Sequence, residues 1–116
     1  MKALLIAITL AWASIPARAF TPAEMARDVG EDVAKYIAVG EMCDYPNIEQ
    51  AFTLLGVLAR LSKPDAQAGI AAGRAFVDSM ARRAPKADLC RAARPNRANV
   101  EGDIRVMLPM AISLLR

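Results

Sequence analysis

Ile48-Glu49-Gln50-Ala51-Phe52-Thr53-Leu54-Leu55-Gly56-Val57-Leu58-Ala59-Arg60-Leu61 is apolar nearly all the way round when wound as a helix. Ile48, Ala51, Phe52, Leu54, Leu55, Val57, Leu58 and Leu61 leave little polar surface, and such a helix belongs in the centre of a bundle. Residues 48–61 are therefore expected to be the core helix. Turn chemistry precedes them in Asp44-Tyr45-Pro46-Asn47, and Asn47 with Gln50 can open the helix. Ser62-Lys63-Pro64-Asp65 breaks it and caps the next.

Upstream, Thr21-Pro22-Ala23-Glu24 reads as a helix start: an N-cap, a proline in the first turn, and a capping-box glutamate. Met25, Val29, Val33, Tyr36 and Ile37 then recur at three and four, with Arg27, Asp28, Glu31, Asp32 and Lys35 on the other face. This helix should end near Gly40, with Cys43 just beyond it. Downstream, a third helix is expected over roughly 65–83, with Ile70, Val77 and Met80 as its stripe and Phe76 alongside. Gly69 and Gly73, four residues apart, would let a neighbouring backbone of the same molecule come close. Pro85 ends that helix. Residues 86–93 should form a short turn holding Cys90, and 94–97 a loop. Val100, Ile104, Met107, Leu108, Ala111 and Leu115 mark a final helix over 99–115, which Pro109 should kink. No useful strand alternation occurs. The expected fold is all-α, a small four-helix bundle forming one domain over 20–116.

The beginning of the chain gives a destination. Met1 and Lys2 precede an apolar run over 3–15, and Ala17-Arg18-Ala19 offers small residues where a signal peptidase reads. Residues 1–19 are read as a secretory signal peptide, so the protein is expected in the periplasm or secreted. The run is too short to serve as an anchor, so no transmembrane anchor is expected after leader cleavage. Cys43 and Cys90, the only cysteines, are then most simply one disulfide, because the compartment is oxidising. Closing that loop contributes about 4 kcal/mol on the chain-entropy view. The alternative, a pair of reactive thiols, lacks a Cys-x-x-Cys spacing.

Composition then narrows the function. The 15 basic residues include Lys2 and Arg18, which leave with the leader, against 12 acids. A mature chain so close to neutral argues against a nucleic-acid partner. Histidine is absent, which removes the commonest general base and the commonest zinc ligand. There is no phosphate loop or calcium loop, and the adjacent carboxylates (Glu31-Asp32, and Glu41 with Asp44) read as surface charge. No enzyme, no metal and no cofactor are expected.

Charge is nonetheless sorted along the chain. Residues 20–50 carry Glu24, Asp28, Glu31, Asp32, Glu41, Asp44 and Glu49 against Arg27 and Lys35. Residues 74–97 carry Arg74, Arg82, Arg83, Lys86, Arg91, Arg94 and Arg97 against Asp78 and Asp88. Such runs usually solvate a surface. Arg82, Arg83, Lys86, Arg91, Arg94 and Arg97 are also the candidate partner-binding residues, facing lipid headgroups, cell-wall carboxylates or an acidic protein.

The plan of a leader, a helix before Cys43, two central helices, Cys90 and a last segment over 99–115 resembles the small periplasmic acid-stress chaperones of the HdeA/HdeB type. That resemblance pairs Cys43 with Cys90 and implies a helical, disulfide-bonded homodimer that separates in acid and exposes apolar surface to unfolding clients. The sequence around Tyr36-Ile37-Ala38-Val39-Gly40, running on to Cys90, also resembles small periplasmic immunity proteins of the Rap1a/Tai type. The function expected first is a non-enzymatic, protein-binding protein of the cell envelope, a chaperone triggered by carboxylate titration. The alternatives are a dedicated immunity or inhibitor protein, and a structural component whose apolar final helix stays exposed in the monomer.

Overall fold

A computed structural model describes residues 21–116, so the leader assigned to 1–19 lies outside the described residues. Helix α1 covers 22–43 in three continuous pieces: an α turn (Pro22–Glu24), a π turn (Met25–Val29) and an α-helix (Gly30–Cys43). Helices α2 (Glu49–Leu61), α3 (Lys63–Arg83) and α4 (Lys86–Leu114) follow, and no strand occurs among the described residues. The fold is an all-α four-helix bundle.

The capping box forms as its residues require. Thr21 Oγ accepts from the Glu24 N–H at 3.1 Å, and Glu24 Oε1 accepts from the Thr21 N–H at 3.2 Å. The π turn inserts a wider turn before the regular helix without breaking the stripe, and Met25, Val29, Val33, Tyr36 and Ile37 are all buried. α1 also runs on to Cys43 rather than stopping near Gly40. Asp44 ends it in the left-handed region (φ 58°), a conformation a short polar side chain tolerates, and its N–H bonds the Gly40 carbonyl.

The centre of the bundle is α1, not the segment 48–61. In α2 only Ala51, Leu54 and Leu58 are buried, while Phe52 is exposed. α1 is covered from two sides, by α2 and α4 on one and by α3 on the other. The reason is the pair of glycines on α3. A Cβ on Gly69 would collide with the Arg27 carbonyl oxygen, and one on Gly73 with the Glu31 carbonyl oxygen. Two helix backbones can touch only where no side chain intervenes. That close approach covers a second face of α1, and Asp32 and Lys35, expected outside, are 7% and 6% exposed.

The C-terminal third also differs from the expectation. Residues 86–93, 94–97 and the final helix are one helix, with Pro95 and Pro109 inside it. Each proline removes an N–H from the ladder. Pro95 and Pro109 are exposed, as are Arg91 and Arg105 four residues before them, so the freed carbonyls can take water. The main core joins α1, α2 and α4 through residues such as Ile37, Leu54, Leu58, Ile104 and Met107. A smaller one, Val77, Met80 and Leu89 with Phe76 and Met42 against them, sits where α3 turns into α4.

Candidate functional site

Cys43 and Cys90 form a disulfide, with Cα atoms 5.5 Å apart. It ties the last residue of α1 to the second turn of α4. A further link between these helices lies near the middle of α4. Tyr36 Oη donates to Glu101 Oε2 at 2.7 Å, and Arg97 Nε donates to the same oxygen at 3.2 Å. The Arg97 guanidinium stands 4.9 Å from the centre of the Tyr45 ring, and Tyr45 in turn packs on Tyr36 with centroids 5.6 Å apart. Burial pushes the Glu101 carboxyl up, but the hydrogen bonds from Tyr36 and Arg97 outweigh it, aided by the charges of Arg97 and Arg105, and hold it below its ordinary value. Burial and the bond to Glu101 raise the Tyr36 phenol.

Of the six basic residues singled out in the sequence, Arg97 is engaged in that link and is one third exposed. The other five are exposed. Arg82 and Arg83 occupy the last turn of α3, Lys86 the first position of α4, and Arg91 and Arg94 the turns after it. They share the tip where α3 returns as α4. The acids near it are Asp78, one turn before Arg82 on α3, Asp88, which pairs with Arg91 at 3.4 Å, and Asp44, which caps α1 beside the disulfide.

Between the acidic and basic runs, Arg74 pairs with Glu41 at 3.9 Å, half exposed on both sides. Lys35 instead serves its own helix, at 3.2 Å from Glu31 and 3.7 Å from Asp32, with its ammonium 4.5 Å from the centre of the Phe76 ring. Burial raises the Asp32 carboxyl to about 6; Lys35 pulls it down, and Glu31 and Asp28 add to the rise.

At the far end of α4 the helix is apolar on both sides. Ile104, Met107 and Ala111 are buried against the core, yet Val106, Met110, Ile112 and Leu114 are exposed, Val106 by 62% and Met110 by 47%. Val106 and Met110 are one turn apart on the side opposite the core. A helix needs one apolar stripe to dock, so the second is surplus to this fold. Between α2 and α4 lies a polar groove of about 320 Å³ lined by Asn47, Glu49, Gln50, Glu101, Ile104 and Arg105. Among the described residues no cluster of acids or cysteines is placed to hold a metal ion, and no helix is long and apolar enough to cross a membrane.

The engagement of Glu101 and the burial of Asp32 were not read from the sequence. Tyr36 on a buried stripe was a signal for the first, because a buried phenol needs a partner for its hydroxyl. No family model, no curated protein and no solved structure matches this chain.

Proposed function

We propose that the chain is an exported, non-enzymatic protein of the cell envelope that binds other proteins, holding unfolding clients on the outer side of α4 as a stress chaperone does. The observation that carries this is the second apolar stripe. Val106, Met110 and Leu114, spaced one turn apart, stand in solvent on a helix already docked by Ile104, Met107 and Ala111. An open, convex surface containing a flexible methionine suits varied apolar segments better than one fitted partner. Periplasmic location follows from the leader assigned to 1–19, and a homodimer that covers this stripe at rest would keep it from nonspecific contact.

Below about pH 4.5, after Asp32 has taken up its proton, acid would act through Glu101. Protonation weakens the link that Tyr36 and Arg97 make with it, and so the tie between α4 and α1, while the disulfide keeps the helices together.

The alternative, a dedicated immunity or inhibitor protein, draws on the polar groove between α2 and α4. Its amides and charges would read a single partner.

The deciding experiment is capture from periplasmic extract by the oxidised mature protein at neutral and acid pH, with a heat-aggregating test protein alongside. A chaperone retains many proteins, suppresses aggregation, and loses both properties in the Val106→Ser/Met110→Ser variant. One tight partner at neutral pH, insensitive to that variant, would select the inhibitor reading.

A further inference from the structure

We propose that the tip formed by the end of α3 and the start of α4 binds the anionic phosphates of a lipid headgroup surface. Arg82, Arg83 and Lys86 fall within five consecutive positions around the Ala84-Pro85 turn, and all three are exposed. Arg91 and Arg94 continue the cluster along α4, about 8 and 12 Å from Lys86 at the helical rise. Asp88 offsets Arg91, Asp78 lies one turn before Arg82, and Asp44 stands behind the tip at the disulfide. The surplus of charge remains positive.

Helix-end electrostatics does not account for this cluster. Arg82 and Arg83 suit the negative end of α3, but Lys86 sits at the N-terminal end of α4, where a cation is disfavoured. Nor do Arg82, Arg83 and Lys86 hold the bundle together, and Arg91 pairs only within its own helix. Arg97 shows what an engaged arginine looks like in this fold, with a carboxylate and a ring as partners.

The shape selects the kind of anion. The five side chains are exposed on the last turn of α3 and the first three turns of α4, and none of them lines the groove between α2 and α4. A convex array of separated charges fits a broad field of phosphates rather than one small ion in a pocket. No large apolar side chain is exposed at this end, so contact would be electrostatic and reversible, without insertion. The 29 residues of α4 then place Val106, Met110 and Leu114 away from that surface, toward the far end of a molecule 43 Å long. A protein resting on its basic tip would present its apolar stripe away from the membrane. The inference shares with the proposed function only the export of the chain; it does not depend on client holding.

Sedimentation of the oxidised mature protein with phosphatidylglycerol–phosphatidylethanolamine vesicles, against neutral phosphatidylcholine vesicles, tests it. Partition onto the anionic vesicles should be strong at low salt and fall steeply as salt rises through the physiological range. Arg82→Gln/Arg83→Gln/Lys86→Gln should lower it roughly a hundredfold, at about fivefold for each basic residue near the surface. Arg60→Gln/Lys63→Gln, at the opposite end, should leave it unchanged. Should the triple variant fail to fold, Arg91→Gln/Arg94→Gln carries the same test with a loss of roughly twenty-five-fold. Equal partition on neutral vesicles, none on either, or a loss seen only in Val106→Ser/Met110→Ser overturns the proposal. So does retention of an acidic protein or of DNA by the tip without retention on vesicles.

Discussion

Tyr36 and Glu101, 65 positions apart in the chain, meet in a 2.7 Å hydrogen bond that fastens the middle of α4 to the central helix. The acceptor oxygen also takes the Arg97 Nε–H, so one carboxylate oxygen joins two helices. A hydrogen bond to a charged group contributes about 1.5–3 kcal/mol where it is shielded. Glu101 is one fifth exposed, which places the bond toward the lower end. Tyr36→Phe should therefore cost about 1–2 kcal/mol in denaturant unfolding, with the helical signal of the folded state unchanged.

The sign of the pH effect at Glu101 follows from its depressed carboxyl. A carboxyl lower in the folded than in the unfolded chain contributes stability that is fully present above its ordinary value near 4.5. That contribution is lost as pH falls from there through the folded value. Glu101→Gln should be less stable at neutral pH and should lose less on acidification than the parent. Parallel curves for the two proteins between pH 7 and strong acid would refute the role given to this residue.

Asp32 works in the opposite sense. Its carboxyl is raised from 3.8 to about 6 by burial, so the folded chain takes up a proton before the unfolded chain does. Stability from this group therefore rises as pH falls through about 6 and levels off below 3.8. Asp32→Asn should flatten that rise, which amounts to no more than about 3 kcal/mol. Lys35 keeps Glu31 at 3.2 Å in the variant, so no buried cation is left alone. Urea midpoints measured at pH 7 and near pH 5 separate the two outcomes.

Two helix boundaries were legible because they are local chemistry. Thr21-Pro22-Ala23-Glu24 and the break at 62–65 each need only neighbouring residues, and the close approach at Gly69 and Gly73 needed only their spacing. Which helix lies in the middle was not legible. Counting apolar residues favours 48–61, but the middle belongs to the helix that two neighbours cover, and that depends on where α3 packs. Asp32 and Lys35 were misplaced for the same reason. Pro95 reads locally as a break, yet on an exposed side of a long helix its missing bond is made good by solvent. Of the six basic residues, Arg97 also pairs with Glu101, four positions on, which faces Tyr36 from another helix.

Gly69 and Gly73 should tolerate no side chain. An alanine gains about 1 kcal/mol of helix propensity over glycine. Here its Cβ would strike backbone carbonyls of α1, which cannot swing aside as a side-chain tip does. Gly69→Ala and Gly73→Ala should each be destabilising by about 1–3 kcal/mol or more. Gly56→Ala, where nothing lies within 4 Å, should instead stabilise α2 by up to about 1 kcal/mol. Thermal midpoints of the three variants should fall, fall and rise; a rise at all three would mean that α3 does not seat on α1 through these glycines.

The disulfide should matter more to stability than to shape. Cys43 and Cys90 are 47 positions apart, and releasing that loop frees the unfolded chain by about 4 kcal/mol. Around the bridge, Leu89, Met42 and Phe76 pack in the smaller core, and Tyr36–Glu101 fastens α4 independently further along. Cys43→Ser/Cys90→Ser should therefore keep the helical content of the parent at low temperature while its thermal midpoint drops sharply. The two ties constrain the same pair of helices, so the loss should grow when Tyr36→Phe is added. A double-mutant cycle in which the triple variant loses no more than the cysteine variant would show that α4 is held to α1 by packing alone.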